Sequence, residues 1–144
     1  MKDQNYGNHV RFVKGYHFIT LPFIILLLGV SIYSLINSSG NSNDMRYSLM
    51  FLITSGILIS MLLYSRSFSL KAQDRAIRAE ENLRFYLQTG KLFDPELKLS
   101  QILALRFAPD IEFMELYKKS LTENLSPLEI KKSIKNWKAD NHRV

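Results

Sequence analysis

Two long stretches of this chain carry no charge, and that limits what it can fold into more than any other feature. No charged side chain occurs from Phe18 to Asn43, and the apolar part of that stretch reads FITLPFIILLLGVSIYSLI, Phe18 to Ile36. A second uncharged run, YSLMFLITSGILISMLLYS, occupies residues 47–65. Each is close to the roughly 20 residues that cross a hydrocarbon core as helix. A surface helix of a soluble domain keeps a charged or polar face toward water, and neither run has a charged one. The sequence therefore predicts two transmembrane helices, about 18–36 and 47–65, joined by the short turn-rich loop NSSGNSND. No small-x-small cleavage site follows the first run directly, and a second span comes at once. The first is thus read as retained rather than as a signal peptide.

The flanks set an expected orientation. Lys2, Arg11 and Lys14 precede the first span, and Arg66, Lys71, Arg75 and Arg78 follow the second. Only Arg46 is basic in or beside the connecting loop. Basic residues stay on the cytoplasmic side, so both termini are expected there. Neither span contains Asp, Glu, Lys, Arg or His, the residues from which ion and proton pathways are built. The pair reads as an anchor. Gly29 in the first span and Gly56 in the second, with Ser60 one turn on, suggest close packing, because small side chains let helices approach in lipid. Glycine is also common membrane-helix composition, which leaves the packing role open.

After Gly56 the next glycine is Gly90, with no proline between, so the second helix is expected to continue to a stop there. Asp74–Arg78 and Glu80–Arg84 are acid-then-base pairs at i,i+4. Ala72, Ala76, Ala79, Leu83 and Tyr86 recur at helical spacing and predict a narrow stripe for packing on another helix. Three shorter helices and then a final one are expected beyond. Asp94 and Pro95 open the first, and Ser100 is a possible cap for the second, ahead of Ile102, Leu103, Leu105 and Phe107. Pro109 opens the next, with Asp110 and Glu112 in its first turn and Met114, Tyr117 and Leu121 as an inner stripe beside Phe113. Ser126, Pro127 and Glu129 form a capping box for the last, on which Ile130, Ile134 and Trp137 would be buried core. Lys131, Lys135 and Lys138 would lie about 100° around it as a contact face for a partner or for lipid. Nothing alternates like a strand.

The expected fold is an all-α membrane protein. Its parts are an N-terminal cytoplasmic segment (1–17), a transmembrane helical hairpin (18–66), an extension of the second helix (67–90) and a small three-helix module (91–144). Four segments, QNYGNHVRF, KAQDRAIRAEENLR, QILALRFAPD and LSPLEIKKSIKNWKADNHRV, resemble in sequence and order an uncharacterised family. Its members are small bacterial two-span inner-membrane proteins with a helical cytoplasmic tail. The resemblance implies an inner-membrane setting and brings no activity, ligand or catalytic residue.

The residues themselves argue against an enzyme. There is no cysteine, so thiolate chemistry, disulfides and Cys-based metal sites are excluded. His9, His17 and His142 form no metal-binding pair. Gly90 alone after the second span cannot make a phosphate-cradling loop. Glu80, Glu81, Glu112 and Glu115 read as solvated charges, and no convergent catalytic site can be assembled. No cofactor and no metal are expected. The net charge of +6 is shared by both halves, and the second half is nearly balanced, unlike a dedicated polyanion binder. In the N-terminal segment, Tyr16, Phe18 and Lys14 suit an interfacial anchor, while Tyr6, His9 and Arg11 suit a partner contact equally well. The leading expectation is a non-enzymatic anchor and interaction protein that meets a protein partner or another copy of itself. A module binding anionic lipid comes second. Membrane-tethered nucleic-acid or ribosome contact comes third.

Overall fold

Local signals place most helix ends. Asn41 starts the long helix by accepting the Asn43 N–H on its Oδ1 (3.1 Å), the role of a capping side chain. Gly90 ends it, with φ +71° and its N–H on the Tyr86 carbonyl (2.7 Å). That left-handed conformation is one glycine adopts without strain. In the computed structural model, which describes residues 4–8, 13–38 and 41–140, five α-helices and no strand occur among the described residues. They are α1 (Leu21–Asn37), α2 (Ser42–Thr89), α3 (Leu99–Leu105), α4 (Asp110–Thr122) and α5 (Pro127–Ser133), with a π-helical turn, Gly15–Thr20, ahead of α1. The 48 residues of α2 make a helix about 72 Å long at 1.5 Å per residue.

The chain divides into two compact units, Arg11–Ser69 and Met1–Val10 with Leu70–Val144. Gly15–Asn37, within the first, and Ser42–Thr89, which starts in it and runs into the second, are long and apolar enough to cross a membrane. The buried residues on α1 are Ile24 and Ser31, and on this part of α2 Ser48 and Ser55. The Ser34 and Ser48 hydroxyls are 2.7 Å apart, and the Tyr16 hydroxyl donates to the Leu62 carbonyl (3.4 Å). Serines, not glycines, make the close contacts. Gly29, Gly56 and Ser60 are all exposed, and a Cβ added at either glycine would meet nothing within 4 Å. The small-residue packing expected at those three positions is corrected accordingly. Ser31 and Ser55 fit the seam because each hydroxyl donates to a carbonyl of its own helix, Leu27 (2.6 Å) and Leu52 (2.8 Å).

The second unit builds one core from the C-terminal part of α2 and helices α3–α5. Ile102, Leu105, Phe107, Phe113 and Ile130 are essentially inaccessible. Phe85 on α2 stacks on Phe93 (4.7 Å between centroids) and lies 4.6 Å from the Tyr117 ring. Four expectations change here. FDPEL is a turn, because the Asp94 Oδ1 accepts the Glu96 N–H (2.9 Å) and the Asp94 carbonyl accepts that of Leu97 (3.0 Å). Helix α3 therefore starts at Leu99 after Lys98, and not after Ser100. On α4 the innermost residues are Phe113, Leu116 and Ser120, with Met114, Tyr117 and Leu121 only partly buried beside them. The Ser126–Pro127–Glu129 start of α5 is as expected, with Glu129 N–H on Ser126 Oγ and Ser126 N–H on Glu129 Oε2. Its end is not. Ile134 is extended, at ψ 120°, so Trp137, Lys135 and Lys138 lie beyond the helix.

Candidate interaction surface

The C-terminal part of α2 has two unlike faces. One carries Ile77, Glu81 and Phe85, all buried. The other carries Ala72, Ala76, Ala79, Leu83 and Tyr86, all exposed. At 3.6 residues per turn these five fall within about 80° of arc, centred about 180° from Glu81. The stripe therefore points away from the core of its own unit. Leu83 is 59 % exposed, Tyr86 50 % and, at its edge, Leu87 77 %. Leu83 and Leu87 also line a shallow groove with Glu80, Gln88 and Asp110.

Arg84 fixes this part of the helix to the module. Its Nε donates to Asp110 Oδ1 (2.7 Å), its Nη2 to the Ala108 carbonyl (2.8 Å) and its Nη1 to Glu81 Oε2 (3.1 Å). Its guanidinium lies 4.2 Å from the Phe113 ring centroid, within cation–π range. The expected Glu80–Arg84 pair gives way to Glu81 and Asp110. Glu81, read from sequence as solvated, is buried. The hydrogen bond from Arg84, and then its charge, hold the Asp110 carboxyl below its usual range.

Two further side chains organise the module. Gln101 is buried. Its Nε2 donates to the Leu125 carbonyl (2.8 Å) and the Ser120 carbonyl (3.4 Å), and its Oε1 accepts the Lys98 N–H (2.9 Å). Glu112 accepts the N–H groups of Lys135 (2.9 Å) and Asn136 (3.0 Å). Desolvation raises the Glu112 pKa, but those backbone bonds and the Asn136 side chain outweigh it, and the net shift is downward.

Of the three lysines expected to share one helix face, only Lys131 lies on α5, which ends at Ser133. Lys131 is half-buried, with Nζ 5.6 Å from the Phe107 ring centroid. Lys135 is exposed and tied by its backbone to Glu112. Lys138 gives its N–H to the Phe107 carbonyl (2.8 Å) and lines a cleft with Ala76, Ile77, Glu80, Glu81, Arg106 and Asp140. Ile130 and Ile134 are buried, and Trp137 packs on Phe107 at 4.9 Å, so these three share one core without sharing a helix. In the N-terminal segment, the Tyr6 ring lies 5.9 Å from the Lys132 Nζ. Tyr16 sits under Arg66 at 5.3 Å. His9, Arg11 and His142 lie outside the described residues. Among the described residues no group of three His, Cys, Asp or Glu side chains could hold a metal ion.

The residues that sequence reasoning missed are Arg84, Glu81, Gln101 and Glu112. Only Gln101, a polar residue opening the apolar run QILAL, carried a local signal. No curated protein and no solved structure matches the chain. A family of unknown function, DUF6526, matches residues 1–144 from end to end, and the chain belongs to that family.

Proposed function

We propose that the protein is a non-enzymatic membrane anchor and interaction protein. Residues 15–37 and the first part of α2 span the bacterial inner membrane as a hairpin, with both termini cytoplasmic. The later part of α2 and helices α3–α5 form a cytoplasmic module that meets a protein partner. The observation that carries this reading is the exposure of the apolar helices. Only 11 % of either hydrophobic window is buried, and Phe18, Phe23, Tyr33, Ile36 and Leu63 are each more than half exposed. A soluble core helix of that composition would be buried, whereas lipid covers such side chains at no cost in water contact. The outward stripe on α2 supports the interaction role. Lys135 and Lys138 lie beyond α5, so they share no helix face with Lys131.

Alkaline extraction of cell membranes tests the anchor. The protein should stay in the pellet, and release into the supernatant would refute the reading. Because the chain has no cysteine, single cysteines report topology cleanly. A cysteine at Ser42 should react with a membrane-impermeant maleimide from the periplasmic side, while one at Asn124 should react only after lysis. The reverse pattern would refute the orientation.

A further inference from the structure

We infer that the outward stripe of α2 is the seam of a parallel, two-stranded coiled coil with a second copy of this chain. The inference rests on the membrane-anchor reading, because two copies inserted in one bilayer with the same orientation present this helix in parallel. The spacing of Ala72, Ala76, Ala79, Leu83 and Tyr86 alternates four and three residues. That is the repeat in which d and a positions alternate along a left-handed coiled coil. Ala72, Ala79 and Tyr86 take d, and Ala76 and Leu83 take a. In this register Ile77, Glu81 and Phe85 occupy b, f and c, the positions a coiled coil turns away from its partner. Those are the residues the module buries. The module thus buries the side of α2 opposite the stripe, and along one edge Ala76 and Glu80 adjoin a cleft lined by Arg106, Lys138 and Asp140.

The flanking charges name the partner and its direction. Arg75 takes a g position and Glu80 an e position, five residues later. In a parallel pair, g of one helix faces e of the next heptad on the other. Arg75 of each copy thus meets Glu80 of the other, giving two opposite-charge contacts related by the two-fold axis. An antiparallel pair would set g against g and e against e. The g positions are Phe68, Arg75, Asn82 and Thr89, and the e positions are Gln73, Glu80 and Leu87. Neither set contains an opposite charge, so only the parallel pair satisfies both. A shift by one heptad sets Arg75 against Gln73 or Leu87, so the pair also fixes register. Three alanines allow an interaxial distance near the short end of about 8–10 Å. Leu83, Tyr86 and Leu87 supply most of the apolar area. Two and a half such heptads hold weakly in dilute solution, but confinement to one membrane raises the effective concentration.

Disulfide crosslinking of the full-length chain in native membranes tests this. Single cysteines at Ala76, Ala79 and Leu83 should each give an oxidant-dependent dimer, because equal positions face each other all along a parallel seam. A cysteine at Arg78, exposed but off the stripe, should give none. A dimer band at only one of the three positions indicates an antiparallel crossing and overturns the inference. So does no band at any. In the charge test, performed on A79C, R75E and E80R should each lower the dimer fraction about five-fold, the size of two exposed ion pairs. The double reversal R75E/E80R should restore it, and failure to restore it overturns the register. Membrane pelleting is read on the same samples. A pelleted chain that does not crosslink refutes the second copy and leaves the anchor, whereas a soluble chain refutes the anchor itself.

Discussion

Removing the Arg84 guanidinium should unfold the module far more readily than removing any exposed charge, and Glu81 is the reason. The Glu81 and Arg84 side chains are 8 % and 13 % exposed, so this pair is largely out of water. The Asp110 side chain at the other end is 73 % exposed and adds little. In Arg84→Met the hydrocarbon stem survives, but Glu81 is left as a buried carboxylate with its cation gone, and the Ala108 carbonyl loses its donor. Breaking a buried pair by deleting one partner costs about 3 kcal/mol at the lower end of the usual range. For a unit of this size that is about 15 °C in Tm. The paired change Glu81→Gln/Arg84→Met removes the stranded charge and should recover about 2 kcal/mol of the loss, the remainder being the unmet carbonyl. Trp137 is the only tryptophan in the chain and packs on Phe107 in the same unit. Its emission during thermal unfolding in detergent therefore reads this unit directly. Arg78→Met, at an exposed site, is the control. If Arg84→Met lowers Tm no more than Arg78→Met, or the double variant is no better than the single, the buried-pair reasoning is wrong.

Three other outcomes follow from named contacts. Asp110 and Glu112 have pKa values lowered from 3.8 and 4.5 in the folded chain. Their contribution is therefore complete above the unfolded values and lost as pH falls through the lower folded ones. Module stability should be flat above pH about 5 and fall in acid below about 4, and Glu112→Gln should soften that fall in Trp137-monitored acid titrations. Gln101→Leu keeps the volume but strands the Leu125 carbonyl, which should cost about 2 kcal/mol in denaturant midpoint analysis. Gly29→Ala and Gly56→Ala should each shift the thermal stability of the apolar unit by less than about 0.5 kcal/mol, the scale of surface changes. Ser55→Leu, at a fully buried site, should cost about 1–3 kcal/mol by overpacking. Circular dichroism in micelles distinguishes the two.

Features decided within one turn of chain were legible in the sequence, and features decided by a distant side chain were not. The Gly90 stop and the Ser126–Pro127–Glu129 start are local, and the structure has both. Asp94–Pro95 was ambiguous in principle, because an Asp ahead of a Pro opens a β-turn as readily as a helix. The end of α5 shows the non-local case. Ile130, Ile134 and Trp137 fit helical spacing, but continuing the helix would need the N–H groups of Lys135 and Asn136 for the carbonyls one turn back. Glu112, more than twenty residues away, takes both donors. The chain turns extended at Ile134 and still buries Ile134 and Trp137. The core list survived because burial follows apolarity. The shared helix face of Lys131, Lys135 and Lys138 is absent because α5 ends at Ser133.

The same reasoning explains why the stripe on α2 was easy to find and hard to interpret. From sequence alone, residues 72–88 offer two ways to bury a face. The alanine stripe is apolar, whereas the face with Ile77, Glu81 and Phe85 carries a charge at its centre. The module takes the second because Arg84 neutralises Glu81 from within that face and brings Asp110 and Ala108 with it. Once that pair is satisfied, Phe85 can enter the aromatic cluster of Phe93, Phe113 and Tyr117. What remains is a helix with apolar residues on two opposed sides and a cover on one. Leaving Leu83, Tyr86 and Leu87 in water forgoes the burial their composition offers. In the proposed dimer a further helix covers that side, and Arg75 and Glu80, set five residues apart on its two edges, are what would select a parallel copy of the same helix.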